Sequence, residues 1–440
     1  MMNKEGFLSR TLCRKAVPSL LVAVAALGAG LSLQGCATAG GGGKAPSAPP
    51  VLGAASCSPV QDLSGSQLAL TMAFAADTSG GLTGQDTAQI QSVTKKRADC
   101  LLEMQAHWNW KVVLGPVVTV KQNPVNPPPT SCQYYAVPAA ARGQYIPAAT
   151  MFVAQKGTQY YVGIAGTNQK SAFAWCDEDF NETLTAWPFG SPPSNAKIAQ
   201  GTLDGLNLLL GMQDSTQPAG QRSLFEFLRK AASNGAIQVS VAGHSLGGAQ
   251  APVLGLWMKE VQSQWDIANF SKVSIYSFAG ATPGNAGFAN YLNSKFSGSS
   301  LAVINNTYDI VPHAWNSTTM NQVPDLYQAA QIQPSGDIDK LFESLLPKAG
   351  PEYTRLGQGT QQQCITGTLL EESDLNKEGP CVVFSTMNQG QIDALAPFGM
   401  EAIDQHTCAY ANQLQMPRLL HNEGVCDYLN PETGDTAATK

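Results

Sequence analysis

The sequence predicts an α/β domain whose central sheet is largely parallel and wrapped by helices. Two observations carry this. Between residues 159 and 311, β-rich runs alternate with helical patterns, and strands joined through helices align in parallel by right-handed crossovers. In addition, Ile237-Gln-Val-Ser-Val-Ala-Gly-His-Ser-Leu-Gly-Gly248 runs from an apolar, β-branched stretch straight into a helical pattern. Glycines flanking Ser245 suit a sharp strand-to-helix turn, where Cβ atoms would clash.

The individual elements follow from periodicity and punctuation. Helical patterns cover Ser66–Ala76 and Asp86–Trp108, and a strand covers Lys111–Val120 before the Pro/Asn break at Asn123 to Pro129. Two β-rich runs, Thr150–Ala154 and Gln159–Ile164, flank Gln155-Lys-Gly-Thr158 and form a hairpin. Helices are expected over Thr202–Met212, Ser223–Ser233, Gly247–Gln264 and Gly284–Phe296, and strands over Lys272–Phe278 and Leu301–Asn305. No internal repeat is evident.

The N-terminus reads as an export signal over residues 1–35. Lys4, Arg10, Arg14 and Lys15 form a basic region, Ala16 to Leu33 is apolar, and Leu33-Gln-Gly-Cys36 resembles a bacterial lipobox. Cleavage before Cys36 and lipidation of its thiol are expected, with Gln34 a less common residue at its position and an ordinary secretory signal cleaved nearby or an uncleaved anchor the other readings. Ala37 after the cysteine, by resemblance to Gram-negative lipoproteins, implies outer-membrane delivery, on either the periplasmic or the surface face. Residues 36–56 are the lipidated cysteine and a Gly/Ala/Pro-rich tether, 57–431 a single domain, and 432–440 a disordered tail.

Charge and cysteines agree with export. The signal carries net +3, so its removal takes the chain from −6 to about −9. No basic patch suggests nucleic acid. With Cys13 in the signal and Cys36 lipidated, Cys57, Cys100, Cys132, Cys176, Cys364, Cys381, Cys408 and Cys426 remain. Eight cysteines, no C-x-x-C and an oxidising compartment predict up to four disulfides. Nearness in sequence favours Cys364–Cys381 and Cys408–Cys426. No metal-ligand motif is present and no cofactor is expected.

Ser245, held at a strained turn with helix N–H groups behind it, suits an acyl-transfer nucleophile with an oxyanion hole. The plain alternative is a tight Gly-Ser turn without chemistry. A nucleophile needs a base and the base an orienting acid. Asp309 lies just past a strand, 64 residues after Ser245, in Val303-Ile-Asn-Asn-Thr-Tyr-Asp-Ile-Val-Pro312; otherwise it caps a turn. Of five histidines, His107 precedes the sheet, His244 lies within the turn, and His313 is tied to the Asp309 loop. His406 is the favoured base and His421 the fallback.

Gly166-Thr167 after a strand, Gly201 opening a helix, Gly243-His-Ser-Leu-Gly-Gly248, Ala281-Thr-Pro-Gly-Asn285, Asp309-Ile-Val-Pro312 and His406…Tyr410 occur in that order. Together they resemble the fungal-type class 3 lipases of the α/β-hydrolase fold. The likeness spans roughly residues 66–415, with apparent insertions at Asn316–Leu356 and Gln361–Gln391. It implies Ser245 as nucleophile, Asp309 as acid and His406 as base, with Thr167 and the Leu246 amide in the oxyanion hole. Two departures stand out: Ala165 replaces the usual arginine, and His406-x-x-x-Tyr410 is one residue longer than the common spacing. The interval Asn168–Pro193, with aromatics among acids, sits where family members carry a lid; an ordinary loop stapled by Cys176 is the other reading.

The expected function is therefore hydrolysis of carboxylic esters of lipids, as a triacylglycerol lipase or carboxylesterase. Phospholipase A1 is an alternative, and a non-catalytic envelope lipoprotein on a hydrolase fold another. Partners would be a lipid or small ester and, through the N-terminal anchor, a membrane; oligomeric state is left open.

Overall fold

The computed structural model describes residues 58–104, 109–126, 137, 139–334, 342–343, 345–357, 361–370 and 396–416. The strands are β1 (Ser58–Pro59), β2 (Lys111–Gln122), β3 (Tyr145–Lys156), β4 (Gln159–Ile164), β5 (Leu184–Ala186), β6 (Lys197–Ala199), β7 (Gln238–His244), β8 (Lys272–Phe278), β9 (Leu301–Asn306) and β10 (Gln362–Ile365). Eight of them form one sheet in the order β1-β10-β9-β8-β7-β4-β3-β2, and β5 pairs with β6 separately. From β1 to β4 the sheet is parallel; β3 and β2 close one side antiparallel. This is the mostly parallel α/β arrangement that the strand–helix alternation predicts.

The longer helices are α1 (Leu63–Asp77), α2 (Thr87–Met104), α3 (Gln200–Gly211), α4 (Leu224–Ala232), α5 (Leu246–Glu260), α6 (Ala286–Lys295) and α7 (Ala396–Ile403). Side chains start several of them: Asp62 accepts from the Gly65 amide, Asn285 from that of Phe288, and Ser223 and Glu226 form a reciprocal capping box. Helix α5 is buried almost all round, as a crossover between two parallel strands must be.

Alternation along the strands sorts their side chains onto two cores. Tyr160, Val162 and Ile164 of β4 join Val239 and Val241 of β7 on one face. Tyr161, Phe152 and Ala242 meet Leu70, Met72 and Phe74 of α1 on the other. A third apolar cluster, including Trp175, Phe180, Trp315, Tyr327, Tyr353 and Phe398, gathers the long connections beyond the strand ends.

Several features differ from the sequence reading or add to it. The helix expected over Gly247–Gln264 breaks at Val261, after which Gln262–Trp265 forms a separate turn. Gln362–Ile365 lies in an apparent insertion, yet it is the parallel neighbour of β9. The aromatics of the 168–193 interval are largely packed away: Trp175, Phe180 and Trp187 are buried, with Trp175 stacked on Phe180 and Phe180 against Trp315. Cys100, Cys176, Cys364 and Cys408 are disulfide-bonded. Cys36, Cys57, Cys132, Cys381 and Cys426 lie outside the described residues, as do the signal, the tether and the tail, and with them both expected pairings.

Candidate active site

The chemistry gathers at the C-terminal ends of the parallel strands. β7 ends in Gly243-His244, and α5 begins at Leu246. Between them Ser245 takes φ 58°, ψ −124°, a region that costs a side-chain-bearing residue of order 1–3 kcal/mol and persists only when its surroundings impose it. The Ser245 N–H donates to the Phe278 carbonyl at 3.0 Å, and the Ser245 carbonyl accepts from Ala249 at 3.1 Å. A Cβ on Gly243 would overlap the Gly247 carbonyl, and one on Gly248 the Phe278 carbonyl. Bulkier residues would push strand and helix apart, so the turn holds only with glycine at both positions. The first amides of α5, Leu246 among them, have no acceptor within the helix.

Asp309 follows β9 and is fully buried. The His406 Nδ1–H donates to Asp309 Oδ1 and Oδ2, both at 2.9 Å, which leaves Nε2 as the free nitrogen of a neutral ring. Val311 N–H donates to Asp309 Oδ1 at 3.0 Å and Tyr410 Oη to Oδ2 at 2.8 Å. Burial and the nearby Asp309 charge hold the Tyr410 phenol well above its ordinary range, so it stays a donor. The same Oη accepts from Asn306 N–H at 2.8 Å.

His406 is also fixed to the turn that carries Ser245. The His244 Nε2–H donates to the His406 carbonyl at 2.7 Å, and the two rings lie 4.7 Å apart. Burial, with His406 beside it, holds His244 well below the usual histidine range, so it acts as a neutral strut. His406 therefore lies against the residue adjoining Ser245 while facing Asp309. His313 is excluded as a base: its Nδ1–H donates to the Asp309 carbonyl at 2.8 Å, and burial pushes it down to about 3. His107 and His421 lie outside the described residues.

The longer His406–Tyr410 spacing has a local cause. Asp404–Cys408 forms a π turn between two α-helical segments, and such a turn absorbs one extra residue. Both side chains consequently reach the same carboxylate. Gln405, in the same turn, accepts from Asn306 Nδ2 at 2.8 Å and donates to Glu401 at 2.8 Å. Asn306 Oδ1 in turn accepts from Gly367 N–H at 2.9 Å. This network ties the histidine segment to the end of β9. Burial pushes Glu401 up to about 7.

On the other side of Ser245, β4 runs into Ala165-Gly166-Thr167. A Cβ on Gly166 would lie 3.3 Å from Ser245 Cβ, so this bend passes directly beside the serine. The Gly166 N–H donates to Asp77 Oδ1 at 2.5 Å, anchoring the bend to the end of α1. Thr167 Oγ1 bonds Asp179 Oδ2 at 2.9 Å. Asp179 belongs to a π turn, Ala174–Asp179, and burial pushes it up to about 7 against the lowering effect of Thr167. Its neighbour Glu178 is held well above the carboxylate range by burial and by the charges of Asp179, Asp177 and Asp204.

Among the described residues no cluster of three or more His, Cys, Asp or Glu could hold a metal ion, and no helix is long and apolar enough to cross a membrane. Tyr410, Asn306, Asp179 and Asp77 had no independent sequence signal, apart from Tyr410's place in a family pattern. Their importance comes from contacts between residues 89 to 104 positions apart for Asp77, Tyr410 and Asn306, and 12 apart for Asp179.

Comparison with known proteins places these residues in context. The model of the class 3 lipase family, "Lipase (class 3)", matches residues 152–318, a window that holds Thr167, Ser245 and Asp309 and ends before His406. The crystal structure of M37 lipase is 23% identical, with a TM-score of 0.60, covering 82% of this chain and 96% of that one. The lipase from Rhizopus microsporus var. chinensis is 20% identical over 63% of this chain and 79% of its own, with a TM-score of 0.37. The Yarrowia lipolytica LIP2 lipase is 18% identical over 58% and 78%, with a TM-score of 0.36. No curated protein matches by sequence. Residues 152–318 are thus similar to class 3 lipases, and the fold is the α/β-hydrolase fold.

Proposed function

We propose that this chain is a serine hydrolase that cleaves carboxylic esters of lipids through an acyl-enzyme, with Ser245 as nucleophile, His406 as base and Asp309 as orienting acid. The observation that carries the reading is the buried Asp309–His406 pair, locked through His244 to the turn that presents Ser245. The class 3 lipase match supports lipid esters as the substrate class.

In this mechanism His406 Nε2 takes the Ser245 proton as Oγ attacks the ester carbonyl. Asp309 holds the tautomer that leaves Nε2 free and stabilises the imidazolium that forms. The tetrahedral oxyanion is stabilised by the Leu246 amide and Thr167. His406 then protonates the departing alcohol, and water attacks the acyl-enzyme by the reverse proton route. The α5 dipole, with its positive end at Ser245, favours the developing negative charge.

Release of p-nitrophenol from esters of rising chain length, and of fatty acid from triacylglycerol and phosphatidylcholine, tests the proposal. Activity should depend on Ser245 and vanish in Ser245→Ala. Preference for phosphatidylcholine would move the assignment to a phospholipase A1. No Ser245-dependent release from any substrate would leave a lipoprotein that binds without catalysis. Lipidation at Cys36, and with it an envelope location, is part of the same reading; loss of metabolic fatty-acid labelling in Cys36→Ser tests it.

A further inference from the structure

The end of the sheet opposite Ser245 carries an unusual combination of groups. The loop entering β8 projects Ile267 at 89% and Phe270 at 76% exposure, from a tight turn with Asn269 at φ 55°. Large apolar side chains this open are costly in water unless something covers them.

Around this loop the rim is basic, although the chain as a whole is acidic at net −6. Strand register sets several cations at one level: Lys111 pairs with Gln155 beside Lys156, Gln159 with Gln238, and Gln238 with Lys272. Lys111, Lys156 and Lys272 are all exposed and span four inter-strand spacings, roughly 19 Å. Arg229 and Lys230, also exposed, end α4 just before β7 begins at this rim. The exposed carboxylate of Glu103, near the end of α2, is a counter-charge there, and so is the buried carboxylate of Asp266 at the foot of the loop, which accepts from the Ser271 N–H at 2.7 Å. Glu260 is not one, since Lys295 neutralises it at 2.9 Å. At the other end of the sheet, around Thr167, the charges are mixed: Asp177 and Asp204 lie near Lys121, while burial pushes Glu178 and Asp179 towards their neutral forms.

From this combination we propose that the rim formed by the β8 entry loop and its cations docks on an anionic phospholipid surface. Ile267 and Phe270 enter the headgroup region while the lysines and arginine face lipid phosphates. Apolar tips among cations match such a surface. β7 separates this rim from Ser245 by roughly 23 Å, so docking turns the reaction centre away from the bound membrane. On the proposed ester-hydrolase reading, the enzyme then acts on esters arriving from the aqueous side or from an apposed surface, and not on the bilayer that holds it.

The test uses the full chain carrying Ala268→Cys labelled with the fluorophore NBD, and a second chain labelled at Thr318→Cys beyond the end of β9, where Thr318 is exposed. Any N-terminal attachment is then common to both. On vesicles of phosphatidylcholine and phosphatidylglycerol, NBD at 268 should shift to the blue and brighten, and NBD at 318 should not. The response should be lost on pure phosphatidylcholine, in about 1 M salt where charges are screened within a few ångström, and in Lys230→Glu/Lys272→Glu. A water-like spectrum at 268 on anionic vesicles overturns the proposal. So does a response at 318 instead, or one at 268 that grows with protein concentration without lipid, which would mark the rim as a contact between chains. Hydrolysis of a soluble p-nitrophenyl ester should be the same in the charge variant, so a failed docking result remains separate from a failed activity assignment.

Discussion

Replacing Tyr410 with phenylalanine removes a single oxygen, and the structure states what that oxygen does. It donates to Asp309 Oδ2 and accepts from Asn306 N–H, each at 2.8 Å, with no exposure to water. A hydrogen bond to a charged group contributes about 1.5–3 kcal/mol, and a buried amide left without an acceptor costs about 1–3 kcal/mol more. Tyr410→Phe should therefore destabilise the fold by about 3–5 kcal/mol, a large share of the roughly 5–15 kcal/mol that holds a domain together. Catalysis should suffer far less. Asp309 keeps both contacts with His406 Nδ1 and the Val311 amide, so kcat should fall about tenfold at most. Asp309→Asn, which favours the wrong imidazole tautomer, should cost on the order of 10⁴, as the corresponding change does in the protease triad. Urea unfolding followed by fluorescence gives the first quantity, and p-nitrophenyl ester turnover gives the second. A stability loss under about 1 kcal/mol, or a kcat as low as that of Asp309→Asn, would refute this division between structural and chemical roles.

Further predictions concern the same site. His406→Ala should abolish turnover while His421→Ala leaves it near wild type; the reverse pattern would transfer the base to His421. Ser245→Gly should be inactive yet more stable than Ser245→Ala, by up to about 1–2 kcal/mol, because glycine relieves the strain at φ 58°; equal denaturation midpoints would show that no strain is stored there. Thr167 has one hydroxyl proton. Ionised Asp179 claims it, whereas neutral Asp179 can donate to Oγ1 and free that proton for the oxyanion. Because Asp179 is pushed up to about 7, kcat should decline as pH rises through about 7, and Asp179→Asn should lose that limb; superimposable profiles would sink the coupling. Stability should follow pH in the same sense. Asp179 and Glu401 hold protons in the folded state that the unfolded chain releases above its ordinary carboxylate range. Their contribution is complete below about pH 4 and is lost as pH rises through about 7. Urea midpoints should fall between pH 5 and 8, and less steeply in Glu401→Gln; a midpoint that rises across this range would contradict the assignment.

Local chemistry made much of this protein legible from its residue order. The strand–Gly-His-Ser-Leu-Gly–helix junction announces itself because sterics within a few residues dictate it, and backbone contacts at Gly243 and Gly248 bear this out. The β-rich runs within β3 and β4 and the helix starting near Ser223 were readable for the same reason. The two-residue β1 and the Gln-Gln-Cys-Ile strand β10 were not, because they exist only through pairing with distant partners. Nor was the packing of the 168–193 interval readable, because Phe180 meets Trp315, a residue far along the chain, and Trp175 stacks on Phe180.

Composition and spacing by themselves determined that this is an α/β chain with a serine at a strand-to-helix turn, followed by an acid and then a histidine. They did so because hydrophobic period and turn sterics are short-range. Only the tertiary structure decided that His406 faces Asp309, that Tyr410, itself bonded by the Asn306 amide, braces that carboxylate across a π turn, and that Asp179 shares the proton of Thr167. Hydrogen-bond direction and burial depend on where segments some 10 to 100 residues apart come to rest, and no local pattern encodes that.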